Sequence, residues 1–214
     1  MELDKQEILR YLGAGHCSET LEAMITRAQK EIATAARPRH AYRLVSLEIQ
    51  GAVVILEGTV IKSWNLAQHL AGCVQAFLFA CTLGPGVDQL IKRYTIIEMP
   101  LVPVLQAVST AYIEAYADQA QQEMEEYAQG KSLYLRPRYS PGYGDFSLSC
   151  QRLLFAALEI TKKLGVSLTD DFLMVPYKSI TSVVGLSPDP SRCHIHHCMD
   201  CFAKNCPFRK ETYT

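Results

Sequence analysis

Four thiols fall within fourteen residues near the end of the chain, as Cys193-x4-Cys198-x2-Cys201-x4-Cys206, followed by Pro207. Thiolates at such density hold a tetrahedral zinc ion or an iron–sulfur cluster. His194, His196 and His197 lie between them and add borderline ligands. The spacing follows neither a standard zinc finger nor a standard ferredoxin run. A cluster, a mixed Cys/His zinc site and a metal-free tail therefore all stay open. The other cysteines, Cys17, Cys73, Cys81 and Cys150, sit among apolar neighbours and are expected to be buried packing residues.

A second group of reactive side chains surrounds the segment Leu135-Arg136-Pro137-Arg138-Tyr139-Ser140-Pro141-Gly142-Tyr143-Gly144-Asp145-Phe146. Its prolines and glycines read as a loop. Upstream of it, the stretch from Pro103 to Gly130 has no internal Gly or Pro, which predicts the longest helix of the chain. There Ala107, Ala111, Glu114 and Asp118 recur at spacings of 4, 3 and 4, beside the apolar stripe Val104, Val108, Ala111 and Ala115. Glu114 is thereby expected at the edge of the buried face.

The elements that must carry these residues follow from periodicity and punctuation. Asp4 caps a short helix ending at Gly13, and Ser18 opens a second, amphipathic one stopped by Pro38. Between Tyr42 and Ile61 alternating β-branched residues, punctuated by Gly51 and Gly58, predict two or three short strands. A helix follows Ser63. Val74 to Cys81 is apolar throughout and short, which fits a buried strand, and a helix from about Val87 to Tyr94 comes after Gly84-Pro85-Gly86. Ser147 or Ser149 caps a helix running to Gly165, and strands are expected at Leu173 to Val175 and Ser179 to Leu186.

With 49% apolar and 20% charged residues in 214, the chain is a globular protein. One compact domain over 1–188 with a Cys/His-rich tail over 189–214 is expected. A formal net charge of -1 gives no basic surface for nucleic acid. The charged start Met-Glu-Leu-Asp-Lys-Gln-Glu and the absence of a long apolar run argue against a signal peptide or a membrane span, so a cytoplasmic location is expected.

The segment Arg138-x-x-Pro141-Gly142-Tyr143 resembles the Arg-x-x-Pro-Gly-Tyr motif of the reactivation domain of cobalamin-dependent methionine synthase. Two further stretches are similar to that family. Leu168-Thr169-Asp170-Asp171-Phe172-x-Met174-x-Pro176, followed by Ser179 and Ser182, looks like its downstream segment, and Glu114-Ala115-Tyr116-Ala117 looks like its Glu-Ala-aromatic-Ala helix. The likeness runs in order over roughly 104–188; the amino-terminal half matches only in general character. It implies an α+β fold with a mainly antiparallel sheet, several helices and one long helix.

The resemblance also implies a function: an S-adenosylmethionine-binding accessory protein for the reductive methylation of cob(II)alamin on a corrinoid-dependent methyltransferase such as methionine synthase. The electron would come from a flavodoxin- or ferredoxin-like donor. On that reading Arg138 grips the carboxylate of the ligand with two hydrogen bonds, and Glu114 pairs its ammonium or a hydroxyl. Gly142 lets the backbone approach the ligand, Tyr143 packs its ring on adenine or the sulfonium methyl, and backbone groups of Ser140 read the adenine edge. Arg136 competes for the carboxylate role but reads as a surface charge, and Tyr134, Tyr139 and Tyr177 as structural or rim residues.

Two departures matter. Gly144-Asp145-Phe146 stands where the family has a Pro and then Cys-Pro-Asp-His, which puts direct corrin contact there in doubt. No Asp-x-His-x-x-Gly cobalamin motif occurs, so cobalamin must arrive on a partner protein. Because reactivation consumes an electron, an iron–sulfur cluster held by Cys193, Cys198, Cys201 and Cys206 is slightly preferred to zinc. The alternatives are a module that only senses S-adenosylmethionine and a metal or iron–sulfur redox module docking on a corrinoid protein.

Overall fold

The computed structural model describes residues 3–193. Helix α1 (Lys5–Leu12) is capped by Asp4 and stopped by a left-handed Gly13; α2 (Glu19–Ala35) is capped by the Ser18 hydroxyl. Strands β1 (Arg39–Gln50), β2 (Val53–Leu56) and β3 (Thr59–Lys62) follow, then α3 (Trp64–His69), β4 (Gln75–Thr82), α4 (Pro85–Ile97) and α5 (Val102–Gln129). After β5 (Tyr134–Leu135) come α6 (Gln151–Leu158), α7 (Ile160–Leu164), β6 (Ser167–Leu168), β7 (Met174–Val175) and β8 (Ser179–Ser187). The chain is α+β, as expected, with α5 the longest helix at 28 residues.

Six strands form one antiparallel sheet in the order β3-β2-β1-β4-β8-β5, and β6 pairs with β7 in a small separate ribbon. At its centre β4 is buried on both faces, and its alternation shows why. Phe77, Phe79 and Cys81 enter the core beneath α1, α2, α4 and α5, while Ala76, Leu78 and Ala80 enter the core with α3, α6 and α7. An element apolar on both faces has to lie in the middle of a sandwich of helices, so a continuous apolar run rather than an alternating one marked it.

Three differences from the sequence reading have clear causes. The first strand is a single 12-residue β1 that serves two partners, Arg39 to Ser46 pairing with β4 and Leu47 to Gln50 with β2. The expected helix up to Gly165 is broken at Glu159, which adopts a left-handed conformation (φ 52°) between α6 and α7. The segment read as a loop is partly sheet: Arg136 N–H donates to Gly185 O at 2.8 Å, and Tyr139 exchanges both backbone hydrogen bonds with Val183. Hydrogen bonding to β8 overrides the local bias of Pro137 and Pro141.

Among the described residues no helix is long and apolar enough to cross a membrane.

Candidate functional site

The edge of β8 orients the two arginines. Because the backbone of 136–139 is bonded to that strand, Arg136 and Arg138 are carried on a rigid margin. Their side chains leave it in different directions.

Arg138 crosses to α5. Its Nη2 donates to Glu114 Oε2 at 3.0 Å, and its Nη1 donates to Asp118 Oδ1 at 2.7 Å and to Gln121 Oε1 at 3.2 Å. The acceptors stand at i, i+4 and i+7, one stripe of a helix. The Arg138 side chain is only 17% exposed, whereas both carboxylates reach solvent. Burial works against the guanidinium charge, but Asp118 and Glu114 outweigh it and hold Arg138 above its ordinary pKa. The buried Cys81 thiol lies within electrostatic reach of this cluster, and burial pushes its pKa up. The expected juxtaposition of Glu114 and Arg138 is thus present. Asp118, placed on the right stripe by its spacing but given no role, is an equal partner, and so is Gln121.

The next residues turn toward α3. Tyr143 N–H donates to Ser140 O at 3.2 Å with Pro141 and Gly142 between them, and Gly142 has φ 100°. Pro at the second position and a positive-φ glycine at the third are the requirements of a type II turn. Gly142 N–H is also engaged, donating to Phe146 O at 2.7 Å. Both glycine and proline of the motif are therefore explained by backbone geometry. Ser140 is partly buried, and Tyr143 is 52% exposed with its ring edge-on to Tyr139, centroids 5.7 Å apart. Tyr139 in turn stacks on His69. Burial, then Asp145 and Tyr143, raise the Tyr139 pKa.

Asp145 pins this turn to α3. Its carboxylate accepts from the Ser63 hydroxyl (2.5 Å) and from the backbone N–H groups of Trp64 (2.8 Å) and Asn65 (3.0 Å), while Asn65 Oδ1 accepts from Asp145 N–H. These donors, the Ser63 hydroxyl first, hold the Asp145 carboxyl below the usual range. A Cβ on Gly144 would fall 2.6 Å from Asn65 Oδ1, and Phe146 is buried in the α3 core. Sequence reasoning noticed Gly144-Asp145-Phe146 only as a departure. The helix expected after Ser63 was the available half of the signal; the partner of that serine, 82 residues away, was not.

Arg136 corrects a reading. It is no surface charge: it is 2% exposed, lies against Gly185 on the α3 side, and makes one side-chain hydrogen bond, from Nη2 to Ala71 O at 3.2 Å. Its Nε and Nη1 have no partner among the described residues. Of the cysteines expected to be buried, Cys81 is; Cys17, Cys73 and Cys150 are half-buried. Tyr134 and Tyr177 are exposed, consistent with rim residues.

Cys193 is half-buried at the end of the described chain; Cys198, Cys201, Cys206 and the tail histidines lie outside the described residues. Among the described residues no three His, Cys, Asp or Glu side chains come together as a metal site.

A helix-covered antiparallel sheet whose edge presents a guanidinium to two carboxylates of a long helix defines the class: an α+β domain of sheet and covering helices. The family described as vitamin B12 dependent methionine synthase, activation domain, matches residues 73–200, more than half of the chain. The chain belongs to that family. Among solved structures it is similar to one titled "Crystal Structure of the MetH Reactivation Domain bound to AdoHcy", at 17% identity and a TM-score of 0.59, over 88% of this chain and 71% of that one. That likeness shows a shared fold. No relative is found among curated proteins.

Proposed function

We propose that the protein binds S-adenosylmethionine and supports reductive methylation of cob(II)alamin carried by a corrinoid-dependent methyltransferase such as methionine synthase. The observation that carries this reading is the meeting of Glu114 and Arg138 at 3.0 Å, from two segments 24 residues apart. The family match supports it, and the fold it resembles was solved with AdoHcy bound.

The residues suit the ligand. Around one guanidinium stand two partly exposed carboxylates, Glu114 and Asp118, so the cluster is acidic on balance. An acidic cluster favours the ammonium and sulfonium of S-adenosylmethionine, and a guanidinium offers donors to its carboxylate. Glu114 holds the ammonium or a ribose hydroxyl, Arg138 the carboxylate. Ser140 and Gly142 keep a rigid turn against which adenine lies, and Tyr143 packs on adenine or the methyl group. Bound S-adenosylmethionine supplies an electrophilic methyl group; this chain's part is to orient it and hold the site away from water. Cobalamin arrives on the partner protein, and a flavodoxin- or ferredoxin-like protein supplies the electron.

Anaerobic calorimetric titration with S-adenosylmethionine tests the reading. Wild type is expected to bind saturably, and Arg138→Ala to lose at least about tenfold in affinity, the usual consequence of deleting a hydrogen bond to a charged group. Absence of binding by the wild type, alone and with a corrinoid partner, overturns it.

A further inference from the structure

One turn of α5 before Glu114, an open cleft of about 520 Å³ lies between α1, α5 and the start of β8. That is within the range of small-ligand sites. Leu12, Pro103 and Ala107 give it aliphatic walls, and Tyr11 and Thr110 line it together with Lys178.

Lys178 is the unusual member. Its Nζ donates to Thr110 Oγ1 at 2.8 Å and to Gln106 O at 3.3 Å, and the Thr110 hydroxyl in turn donates a hydrogen bond to Gln106 O at 2.8 Å. Both acceptors are neutral. An ammonium has three N–H donors, so one is left over, and among the described residues Lys178 forms no ion pair. Burial lowers its pKa, with Asp88 opposing the effect. A half-buried cation that forms no ion pair and feels Asp88 only at longer range leaves room for an anion at the wall of the cleft.

The cleft adjoins the α5 stripe that carries the Arg138 cluster. Thr110 and Glu114 are neighbours on one face of α5. Tyr11 feels Glu114 directly: burial first, and then that carboxylate, raise its pKa. At the cluster itself Arg138 already serves Glu114 and Asp118, so a ligand carboxylate arriving there meets more negative than positive charge. A second cation is needed nearby.

We infer that the cleft is the amino-acid subsite of the S-adenosylmethionine site, and that Lys178 pairs with the ligand's carboxylate beside Arg138. The inference rests on the functional reading above and adds to it a binding residue from the bend just before β8. The aliphatic chain of the methionyl group lies along Leu12, Pro103 and Ala107, and its ammonium turns toward Glu114.

Decarboxylated S-adenosylmethionine, which lacks only the carboxylate, isolates this contact. In calorimetric titrations of the full chain, wild type is expected to bind S-adenosylmethionine roughly tenfold or more tighter than the decarboxylated compound. Lys178→Met is expected to remove most of that preference by weakening S-adenosylmethionine alone, and Lys178→Arg to keep it. Equal affinity of wild type for both compounds overturns the inference without any variant. So does a Lys178→Met protein that weakens both ligands alike, or neither. If the preference disappears in Arg138→Ala but survives in Lys178→Met, the functional reading stands and this subsite falls. If wild type binds neither compound, alone or with a corrinoid partner, both fall.

Discussion

Arg136 and Arg138 are separated by a single proline and carry the same group on the same sheet edge, yet they live in opposite surroundings. Arg138 faces α5, where two carboxylates and an amide ring its guanidinium. Arg136 faces the α3 side, where one backbone carbonyl is its only side-chain acceptor among the described residues. A guanidinium paired with solvent-exposed carboxylates stays at the surface of the fold. A fully buried one, walled by Gly72 and Gly185, is part of the packing. Chemical identity and neighbourhood in sequence say little about which of the two a residue becomes.

The contrast can be broken hardest at the floor beneath Arg136. A Cβ on Gly185 would sit 2.5 Å from Cys73 Sγ, 2.8 Å from Leu70 Cδ2 and 3.2 Å from Arg136 Cγ. Gly185→Ala is therefore expected to cost about 3 kcal/mol, the upper end of the usual range for overpacking, and to lower Tm by roughly 6–12 °C in a chain of this size. Calorimetric unfolding measures it; an unchanged Tm would mean that the β8 margin yields easily and that Arg136 is not tightly walled.

Smaller is the effect of cutting the Asp145 tether, which fixes the turn following Arg138. Asp145→Ala removes the acceptor for two N–H groups of the first turn of α3 and for Ser63, at a cost of about 1 kcal/mol. The sign of its pH dependence follows from the lowered pKa. A carboxyl held below its unfolded value contributes stability above that value, about 3.9 for Asp, and loses it as pH falls through the folded one. The Tm gap between wild type and Asp145→Ala is thus expected to be full near neutral pH and to close in acid below about pH 4. A gap that persists at pH 2 would assign the tether to something other than the carboxylate.

The smallest effect sharpens the comparison most. Arg138→Met removes partly exposed ion pairs and is expected to cost less than about 1 kcal/mol of stability while weakening ligand binding. Arg136→Met takes away a buried cation with unmet donors, and is expected to leave Tm unchanged or raise it, with binding intact. If the two variants behave alike in both measurements, the distinction between a ligand arginine and a packed one is wrong.

How much of this could be read in advance differs between helix faces and sheet edges. Helix caps at Asp4, Ser18 and Ser63, the buried strand β4 and the long α5 are local patterns, each decided by residues within a few positions of one another. The expectation that Glu114 and Arg138 meet came from resemblance to a family and not from spacing. Asp118 and Gln121 share the Glu114 stripe by periodicity alone, but nothing local says that a guanidinium will lie over it. Lys178 is silent in the sequence, because its lack of an ion pair among the described residues is a property of the cleft between α1 and α5.

What the sequence by itself determined is most of the helices, the buried strand β4, the turn at Pro141-Gly142 and the family, since capping, period and backbone torsion are short-range matters. Which cation is paired, which is buried and which stands unpaired at a cleft was decided only by tertiary structure. The reason is physical: a charge interacts with whatever the fold brings within a few ångströms, and here those groups come from segments 20 to 72 residues away.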